Sequence, residues 1–320
     1  MIEAPRKILI TGGAGETGRV FTQKIAQRSY FPIVTVSEKP NNKLSAEKRA
    51  IEFQKSIRKA TSVCPKVVRV DLSKITVEEQ AAEFVDSLEL EPEEPIHYAA
   101  LAAGGLPFTT IGKEYVRTRG AYDSKNLTEA DLRRSTDVIR SKIEQDEGIR
   151  NSALELNFTS PKLIKEELIR RGHIGSLSVV ITLSSIFSDD FRLDRPQLFQ
   201  GPAFYFYMAN TKKSIAETLR EQVYVQEFKY LDFVAPEIRD TSVGKYFEDF
   251  AKFINFVHPD QPPAGMPSVT KEVVAEMLVS QLEEVSLRNQ RFARVYLNSD
   301  GSVSNVRPVG WPTQPLRGYF

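Results

Sequence analysis

The chain has 320 residues, of which 41% are apolar and 27% charged, and its 43 basic and 42 acidic residues leave a formal net charge of +1. This composition is ordinary for a soluble globular protein, and the even charge balance gives no electrostatic reason to expect a nucleic acid or a membrane as partner. A single cysteine excludes an internal disulfide, and the three histidines show no zinc-site spacing. No apolar run reaches the ~18 residues of a membrane helix and no signal-peptide pattern is present, so we expect a cytoplasmic protein without a bound metal.

Short apolar runs alternate with amphipathic stretches along the chain. The predicted strands are Lys7–Thr11, Ile33–Ser37, Val67–Asp71, Ile96–Ala103, Leu177–Ser184, Tyr230–Ala235 and Ala293–Asn298. The predicted helices between them are Thr17–Arg28, Leu44–Lys59, Val77–Leu88, Ser152–Arg171, Thr211–Gln226 and Thr270–Leu287. Short buried strands separated by helices indicate a parallel sheet. We therefore predict an α/β fold, a Rossmann-type doubly wound parallel sheet of about seven strands with helices on both faces.

A single domain over residues 1–320 is the expected organisation. Residues 105–150 interrupt the alternation with a polar, charged stretch that includes a predicted helix at Glu129–Gln145. We interpret this stretch as an insertion at the carboxyl edge of the sheet. The segment Pro236–Pro267 has a mixed pattern, and the tail from about residue 301 is rich in Pro and Gly and is expected to be irregular.

A glycine-rich turn, TGGAGETG, follows the first predicted strand and precedes the first helix. Its TGxxGxxG pattern places Gly12 at the tight turn, Gly15 where the backbone can approach a pyrophosphate, and Gly18 where the helix packs closely on the sheet. The helix N-terminus presents N–H groups and a partial positive charge to phosphates. The residues of this turn expected to contact a dinucleotide are Thr11, Gly12, Gly15, Glu16, Thr17 and Gly18.

The acidic residue Glu38 directly follows the second predicted strand and lies 20 residues after Gly18. A carboxylate there can accept hydrogen bonds from the adenosine ribose and repel a 2′-phosphate. The neighbouring Lys39 could instead pair with a 2′-phosphate. The expected cofactor is therefore NAD(P), with NAD slightly favoured.

With these features the chain resembles the short-chain dehydrogenase/reductase superfamily, from about Lys7 to Asn298 apart from the insertion. The resemblance rests on VDLS after the third strand, AAG after the fourth, LNFTS, the strand ending ITLSS, and VAPEIRDT after the sixth strand. It departs from the family at Glu237, where a glycine is usual. The further cofactor contacts that the resemblance implies are Asp71, Leu72, Ala102, Ala103, Gly104, Pro236, Ile238 and Thr241.

The catalytic pair also departs from the ordinary Tyr-x-x-x-Lys motif of the family. No Lys follows a Tyr by four residues in YFYMANTKK, and Tyr207 and Lys212 would lie about 140° apart on a helix. Tyr205 and Lys212 are two helical turns apart and share one face. Tyr205-x-x-Met208-x-x-x-Lys212 resembles the motif of enoyl-reductase-like members, whereas TGxxGxxG is typical of extended members.

The resemblance implies a role for each residue of this site. Tyr205 would donate a proton, with Tyr207 as the alternative, and Lys212 would bind the nicotinamide ribose and lower the Tyr pKa. Ser185, or its neighbour Ser184, would orient the substrate oxygen. Asn157 would hold a water molecule of the proton relay.

The favoured function is an NAD(P)-dependent oxidoreductase that transfers hydride between nicotinamide and a carbonyl or activated alkene of a small metabolite. Two alternatives stay open, a lyase or epimerase of the extended type that uses bound NAD transiently, and a non-catalytic dinucleotide sensor. Fold alone does not decide among them. The resemblance also implies a homodimer or homotetramer that associates through the helices around 157–171 and 211–226.

Overall fold

A computed structural model describes residues 6–38, 45–101, 108–185, 205–226, 228–261, 268–287 and 290–306 of the chain. Within these residues eight strands form one sheet in the order β3-β2-β1-β4-β5-β6-β9-β10. Its strands are β1 (Lys7–Thr11), β2 (Phe31–Val36), β3 (Lys66–Arg69), β4 (Ile96–Leu101), β5 (Val179–Ser185), β6 (Lys229–Ala235), β9 (Phe292–Leu297) and β10 (Val303–Ser304). Two short strands, β7 (Glu237–Ile238) and β8 (Ser268–Val269), pair separately.

All neighbouring strands of the main sheet run parallel except β9 and β10, which are antiparallel. The chain winds outward from β1 to β3 and then crosses over to β4 on the other side of β1. This reversal makes the carboxyl ends of β1 and β4 a topological switch point, where ligands bind in open α/β sheets. The predicted Rossmann-type α/β fold is confirmed.

Helices connect the parallel strands. They are α1 (Glu16–Gln27), α2 (Ala46–Thr61), α3 (Glu78–Ser87), α4 (Phe108–Asp123), α5 (Glu129–Gln145), α6 (Glu147–Leu154), α7 (Ser160–Arg170), α8 (Tyr205–Gln222), α9 (Ser242–Val257) and α10 (Lys271–Leu287). A 3₁₀ turn covers Leu72–Lys74, and a π-helical segment at Glu155–Thr159 joins α6 to α7.

The core has two layers because successive strand residues point to opposite faces of the sheet. Ile8 and Ile10 are fully buried in one apolar cluster with residues of α1, α2 and α10. Leu9, between them, is fully buried in a second cluster with residues of α3, α7 and α8. The continuous apolar sequence of β1 therefore supplies both faces, as expected for a strand covered by helices on each side.

Two helices were not predicted from the sequence. The first, α4, lies within the 105–150 stretch, where only the helix that became α5 was expected, and it packs against both α5 and α9. The second, α9, lies within the segment of mixed pattern, where Tyr246, Phe250 and Phe253 are buried with helical spacing. The tail also contributes the short strand β10, while residues 307–320 lie outside the described residues. None of the described helices is long and apolar enough to cross a membrane.

Candidate functional site

The glycine-rich turn forms a tight connection between β1 and α1. Gly12 has φ of 69°, in the left-handed region that glycine adopts without a steric penalty. Its N–H donates to Thr35 Oγ1 at 2.8 Å, and the N–H of Gly15 donates back to the Gly12 carbonyl at 2.9 Å. The turn is therefore held by its own backbone and by β2.

Gly18 lies where the first helix crosses the turn. A Cβ at Gly18 would lie 2.4 Å from the Gly12 oxygen and 2.7 Å from the Gly13 Cα. Both are backbone atoms, so a side chain could be accommodated only if the helix moved. Gly13, which received no role from the sequence, is equally constrained, because its Cβ would lie 2.6 Å from Val34 Cγ1.

The outer surface of the turn fits an anionic group. Gly15 is the N-cap of α1 and has no side chain to accept the first N–H groups of the helix. Among the described residues, a Cβ there would have only the Gly12 oxygen within 4 Å, at 3.1 Å. Thr17 and Gly18 belong to this uncapped first turn. Uncapped N–H groups beside a glycine are a suitable site for a pyrophosphate.

Two side chains of the turn make protein contacts instead. Glu16 accepts hydrogen bonds from the Ser242 N–H at 2.9 Å and from its hydroxyl at 2.8 Å, which ties the start of α1 to the start of α9. The buried Thr11 hydroxyl donates to the Ala100 carbonyl at 3.2 Å and links β1 to β4. The side chains of Glu16 and Thr11 therefore stabilise the fold by these hydrogen bonds. Their predicted contact with a cofactor stays a prediction.

The adenosine side of the predicted site lies beyond β2 and β3. Glu38 is exposed, and its N–H donates to the Val70 carbonyl at 3.3 Å. Arg49 of α2, which the sequence did not single out, donates from Nη2 to the Ser37 carbonyl at 2.6 Å. The Arg49 guanidinium therefore contacts the backbone directly before Glu38.

Asp71 lies two residues after β3 and is buried. Its Oδ1 accepts hydrogen bonds from the Ser73 N–H at 3.2 Å and from the Ser73 hydroxyl at 2.7 Å, which caps the 3₁₀ turn. The Leu72 side chain is buried in the apolar core on the α3 side of the sheet. Further along the chain, β4 ends at Leu101, and the predicted contacts Ala102, Ala103 and Gly104 lie outside the described residues.

Asn157 lies in the π-helical segment between α6 and α7. Its side chain is 3% exposed, and its Nδ2 donates to the Ala153 carbonyl at 2.8 Å. Its Oδ1 is buried and has no hydrogen-bond partner among the described residues. Single π turns inside α-helices occur frequently at functional sites. A buried acceptor in such a turn is a suitable place for an ordered water molecule.

One of the elements that carry the other catalytic candidates is a neighbour of the segment that contains Asn157. Helix α8 begins at Tyr205 and contacts the π-helical segment, β5 and β6. Ser185 is the last residue of β5. The side chains of Ser185, Tyr205, Tyr207 and Lys212 lie outside the described part of the structure, so their predicted roles stay predictions.

The Ser184 hydroxyl is committed to a buried polar network, which the sequence did not indicate. It donates to Asp232 Oδ1 at 2.6 Å, and Thr182 donates to the same oxygen at 3.2 Å. Arg294 Nε lies 3.2 Å from Asp232 Oδ2. The Ser184 hydroxyl therefore already has a protein partner, and its predicted role toward a substrate stays a prediction.

The segment after β6 leads into helix α9. Pro236 is buried, and Ile238 packs against the apolar core on the α1 side. The Thr241 hydroxyl donates to the Ile238 carbonyl at 2.7 Å and accepts from the Gly244 N–H at 3.0 Å, so it caps α9. Gly244 was missed by the sequence analysis, yet its Cβ would lie 2.0 Å from the Ile238 oxygen.

Helix α4 of the insertion packs against helix α9. Asp249 of α9 accepts hydrogen bonds from Tyr115 and Arg119 of α4, and its side chain is 7% exposed. Burial, and then the hydrogen bond with Asp249, raise the pKa of Tyr115. The Tyr122 ring packs on Phe253 with centroids 5.0 Å apart. The insertion is therefore joined to the helix that follows the predicted nicotinamide-binding segment.

Metal ligands do not cluster in the described ranges, where no group of three or more His, Cys, Asp or Glu side chains could hold a metal ion.

Three solved structures have a similar fold. An alcohol dehydrogenase from the archaeon Thermococcus sibiricus, complexed with 5-hydroxy-NADP, is 14% identical with a TM-score of 0.56, and the match covers 95% of this chain and 99% of that one. The NADPH-dependent 3-quinuclidinone reductase from Rhodotorula rubra is 13% identical with a TM-score of 0.58, covering 92% and 90%. A short chain dehydrogenase from Salmonella enterica serovar Typhi is 13% identical with a TM-score of 0.56, covering 91% and 95%.

No protein-family model matches the chain, and a search of curated protein sequences gave no match. At identities of 13–14% the structural similarity establishes the fold. The chain has the Rossmann-type α/β fold that these dehydrogenases and reductases share.

Proposed function

We propose that the protein is an atypical short-chain dehydrogenase/reductase, an NAD(P)-dependent oxidoreductase that transfers hydride between nicotinamide and a carbonyl or activated alkene of a small metabolite. The observation that carries the proposal is the glycine-rich turn between β1 and α1. Gly12 makes the turn, Gly18 lets the helix approach, and no described side chain caps the helix N-terminus at Gly15. This arrangement at the switch point of the sheet is suited to a dinucleotide pyrophosphate.

The chain offers further residues around the proposed cofactor. In this proposal Glu38 and Arg49, which neighbour each other through the Ser37 backbone, contact the adenosine ribose, and the segment from Pro236 to Thr241 contacts the nicotinamide. When bound, the dinucleotide supplies or accepts the hydride. The similar alcohol dehydrogenase carries 5-hydroxy-NADP and the similar quinuclidinone reductase is NADPH-dependent, which supports a nicotinamide cofactor.

The proposed catalytic groups lie on β5, the π-helical segment and α8. In the reductive direction Tyr205 donates its proton to the substrate oxygen as that oxygen gains negative charge. Lys212, two turns later on α8, binds the nicotinamide ribose and lowers the Tyr205 pKa through its positive charge. Ser185 orients the substrate oxygen, and Asn157 holds the water through which Tyr205 is reprotonated.

The test is the oxidation of NADH and NADPH over a panel of aldehydes, ketones and enones. Tyr205→Phe and Lys212→Ala should each lower kcat by about 10²–10⁴-fold, because each removes part of the proton-transfer machinery. Tyr224→Phe is a matched control, since this tyrosine is 65% exposed at the far end of α8. Unchanged turnover in the first two variants would exclude the assigned roles. Dinucleotide binding without turnover of any compound would instead favour the sensor function.

We also propose a homodimer or homotetramer that associates through α7 and α8. The two helices lie side by side on one face of the sheet, where Ile164, Leu168 and Leu219 belong to the same buried cluster. Light scattering coupled to size-exclusion chromatography gives the oligomeric state, and a monomer at micromolar concentration would exclude this assembly.

A further inference from the structure

Glu237 replaces the usual small residue beside the proposed reaction site. Ser185, at the end of β5, pairs in register with Ala235 of β6. Glu237 follows two residues later, in β7, after the buried Pro236. The backbone of Glu237 therefore lies at the carboxyl edge of the sheet, two residues beyond the partner of the proposed substrate-orienting serine.

The side chain of Glu237 is directed away from the core on the α1 side. Its neighbour Ile238 packs against that core, and adjacent strand residues point to opposite faces. Helix α9 contacts β7, and the charge of Glu248 on α9 acts on Glu237. Across β7, the paired residues Ser268 and Val269 of β8 bring no charge. The Glu237 side chain therefore lies on the face of β7 that packs against α9.

One carboxyl oxygen of Glu237 lacks a hydrogen-bond partner in the described part of the chain. Its Oε1 is shielded from solvent and accepts no hydrogen bond from the described residues. Burial, and then the negative charge of Glu248, raise the Glu237 pKa to about 8. Lys252 pairs with Glu248 at 2.7 Å and not with Glu237. A buried acceptor without a donor is costly, and a bound ligand with a suitable donor would remove that cost.

We propose that Glu237 is a specificity-determining residue whose carboxyl binds a protonated amine of the substrate. The substrate class is then an amino ketone or amino aldehyde, or the matching amino alcohol in the oxidative direction. An ammonium group supplies both the missing donor and a positive charge, and charge-assisted hydrogen bonds are stronger than neutral ones. The nearby Glu248 adds negative potential that also favours a cation. This inference rests on the oxidoreductase function proposed above.

Binding of the amine should release one proton at neutral pH. Glu237 is protonated in the free protein at pH 7 because its pKa is about 8. When the ammonium group binds, the carboxyl ionises and its proton passes to the buffer, since an adjacent positive charge lowers a carboxyl pKa. Calorimetric titration of the protein–dinucleotide complex with dimethylaminoacetone, in buffers of different ionisation enthalpy, measures this release.

Kinetics with a matched pair of ketones tests the specificity. Dimethylaminoacetone and methyl isobutyl ketone have the same shape and differ by a nitrogen in place of a CH group. The wild-type protein should prefer the amine by about tenfold or more in kcat/KM, and Glu237→Gln should reduce that ratio to near unity and abolish proton release. Glu272→Gln changes an exposed acid on α10 and should leave the ratio unchanged.

The outcomes separate this inference from the function on which it rests. Equal kcat/KM for the two ketones in the wild type, or a preference that survives in Glu237→Gln, would overturn the role of Glu237 alone. Turnover of other carbonyls with neither ketone bound or reduced would overturn the amine substrate class. Failure of every carbonyl and enone to react would overturn the proposed function itself.

Discussion

The replacement Gly18→Ala tests the geometry of the glycine-rich turn. The added Cβ would lie 2.4 Å from the Gly12 oxygen, 2.7 Å from the Gly13 Cα and 2.9 Å from the Gly13 carbonyl carbon. Favourable contacts between carbon atoms lie at about 3.5–4.0 Å, so α1 and the turn must separate by about 1 Å. None of the three atoms belongs to a flexible side chain, and rotamer changes therefore cannot relieve the contacts.

We expect Gly18→Ala to destabilise the protein by about 1–3 kcal/mol, the usual cost of overpacking. At this chain length that corresponds to a lowering of Tm by about 2–6 °C in a thermal scan. The same displacement moves the N–H groups of the α1 N-terminus, so the dinucleotide Kd should rise by about tenfold or more.

Gly120→Ala is the matched control for this measurement. Gly120 is exposed in the last turn of α4, and its added Cβ has no described atom within 4 Å. Because glycine is less favourable than alanine inside a helix, this variant should gain about 0.5–1 kcal/mol and keep the dinucleotide Kd unchanged. Equal stability and equal affinity of the two variants would refute the close approach of α1 to the turn.

Two further predictions concern the insertion and a buried lysine. Asp249→Ala should cost about 1–3 kcal/mol in chemical denaturation, because it leaves Tyr115 and Arg119 of α4 without their shared acceptor; a loss no larger than that of an exposed control such as Asp300→Ala would contradict the joining of α4 to α9. Lys165 is fully buried, and burial lowers its pKa from 10.5 to about 8. Between these pH values the unfolded chain binds more protons than the folded one, so stability should rise with pH over this window, and Lys165→Met should remove that rise. Urea denaturation at a series of pH values measures both slopes, and parallel slopes would contradict the assigned pKa.

The sequence predicted those parts of the fold that depend on local pattern. The strands β1 to β6 were predicted because buried strands appear in the sequence as short apolar runs. The glycine-rich turn was predicted because its glycines have the spacing that the turn requires. Helix α4 was missed because Gly112 and Gly120 weaken its helical signal, although neither meets a neighbouring atom. Helix α9 was missed although its aromatic residues have helical spacing.

The remaining site features depend on contacts between distant segments. Nothing local in the sequence distinguishes Gly13 from the other glycines of the turn, because the atom nearest to its Cβ belongs to Val34 of β2. The commitment of Ser184 to Asp232 likewise joins two strands 48 residues apart. The buried state of Glu237 follows from the packing of α9, which had not been predicted as a helix.

The most direct test of the account is calorimetric titration of the purified protein with NAD⁺, NADH, NADP⁺ and NADPH, repeated on Gly15→Trp. Gly15 has φ of −68°, which any residue adopts, and among the described residues its Cβ would meet only the Gly12 oxygen, at 3.1 Å, so the variant should fold after a small shift while its indole occupies the proposed phosphate side of the turn. We predict clear binding of one oxidised and reduced pair by the wild type and its loss in the variant. Absence of binding to all four dinucleotides, or binding that persists in Gly15→Trp, would contradict a nicotinamide dinucleotide at this turn.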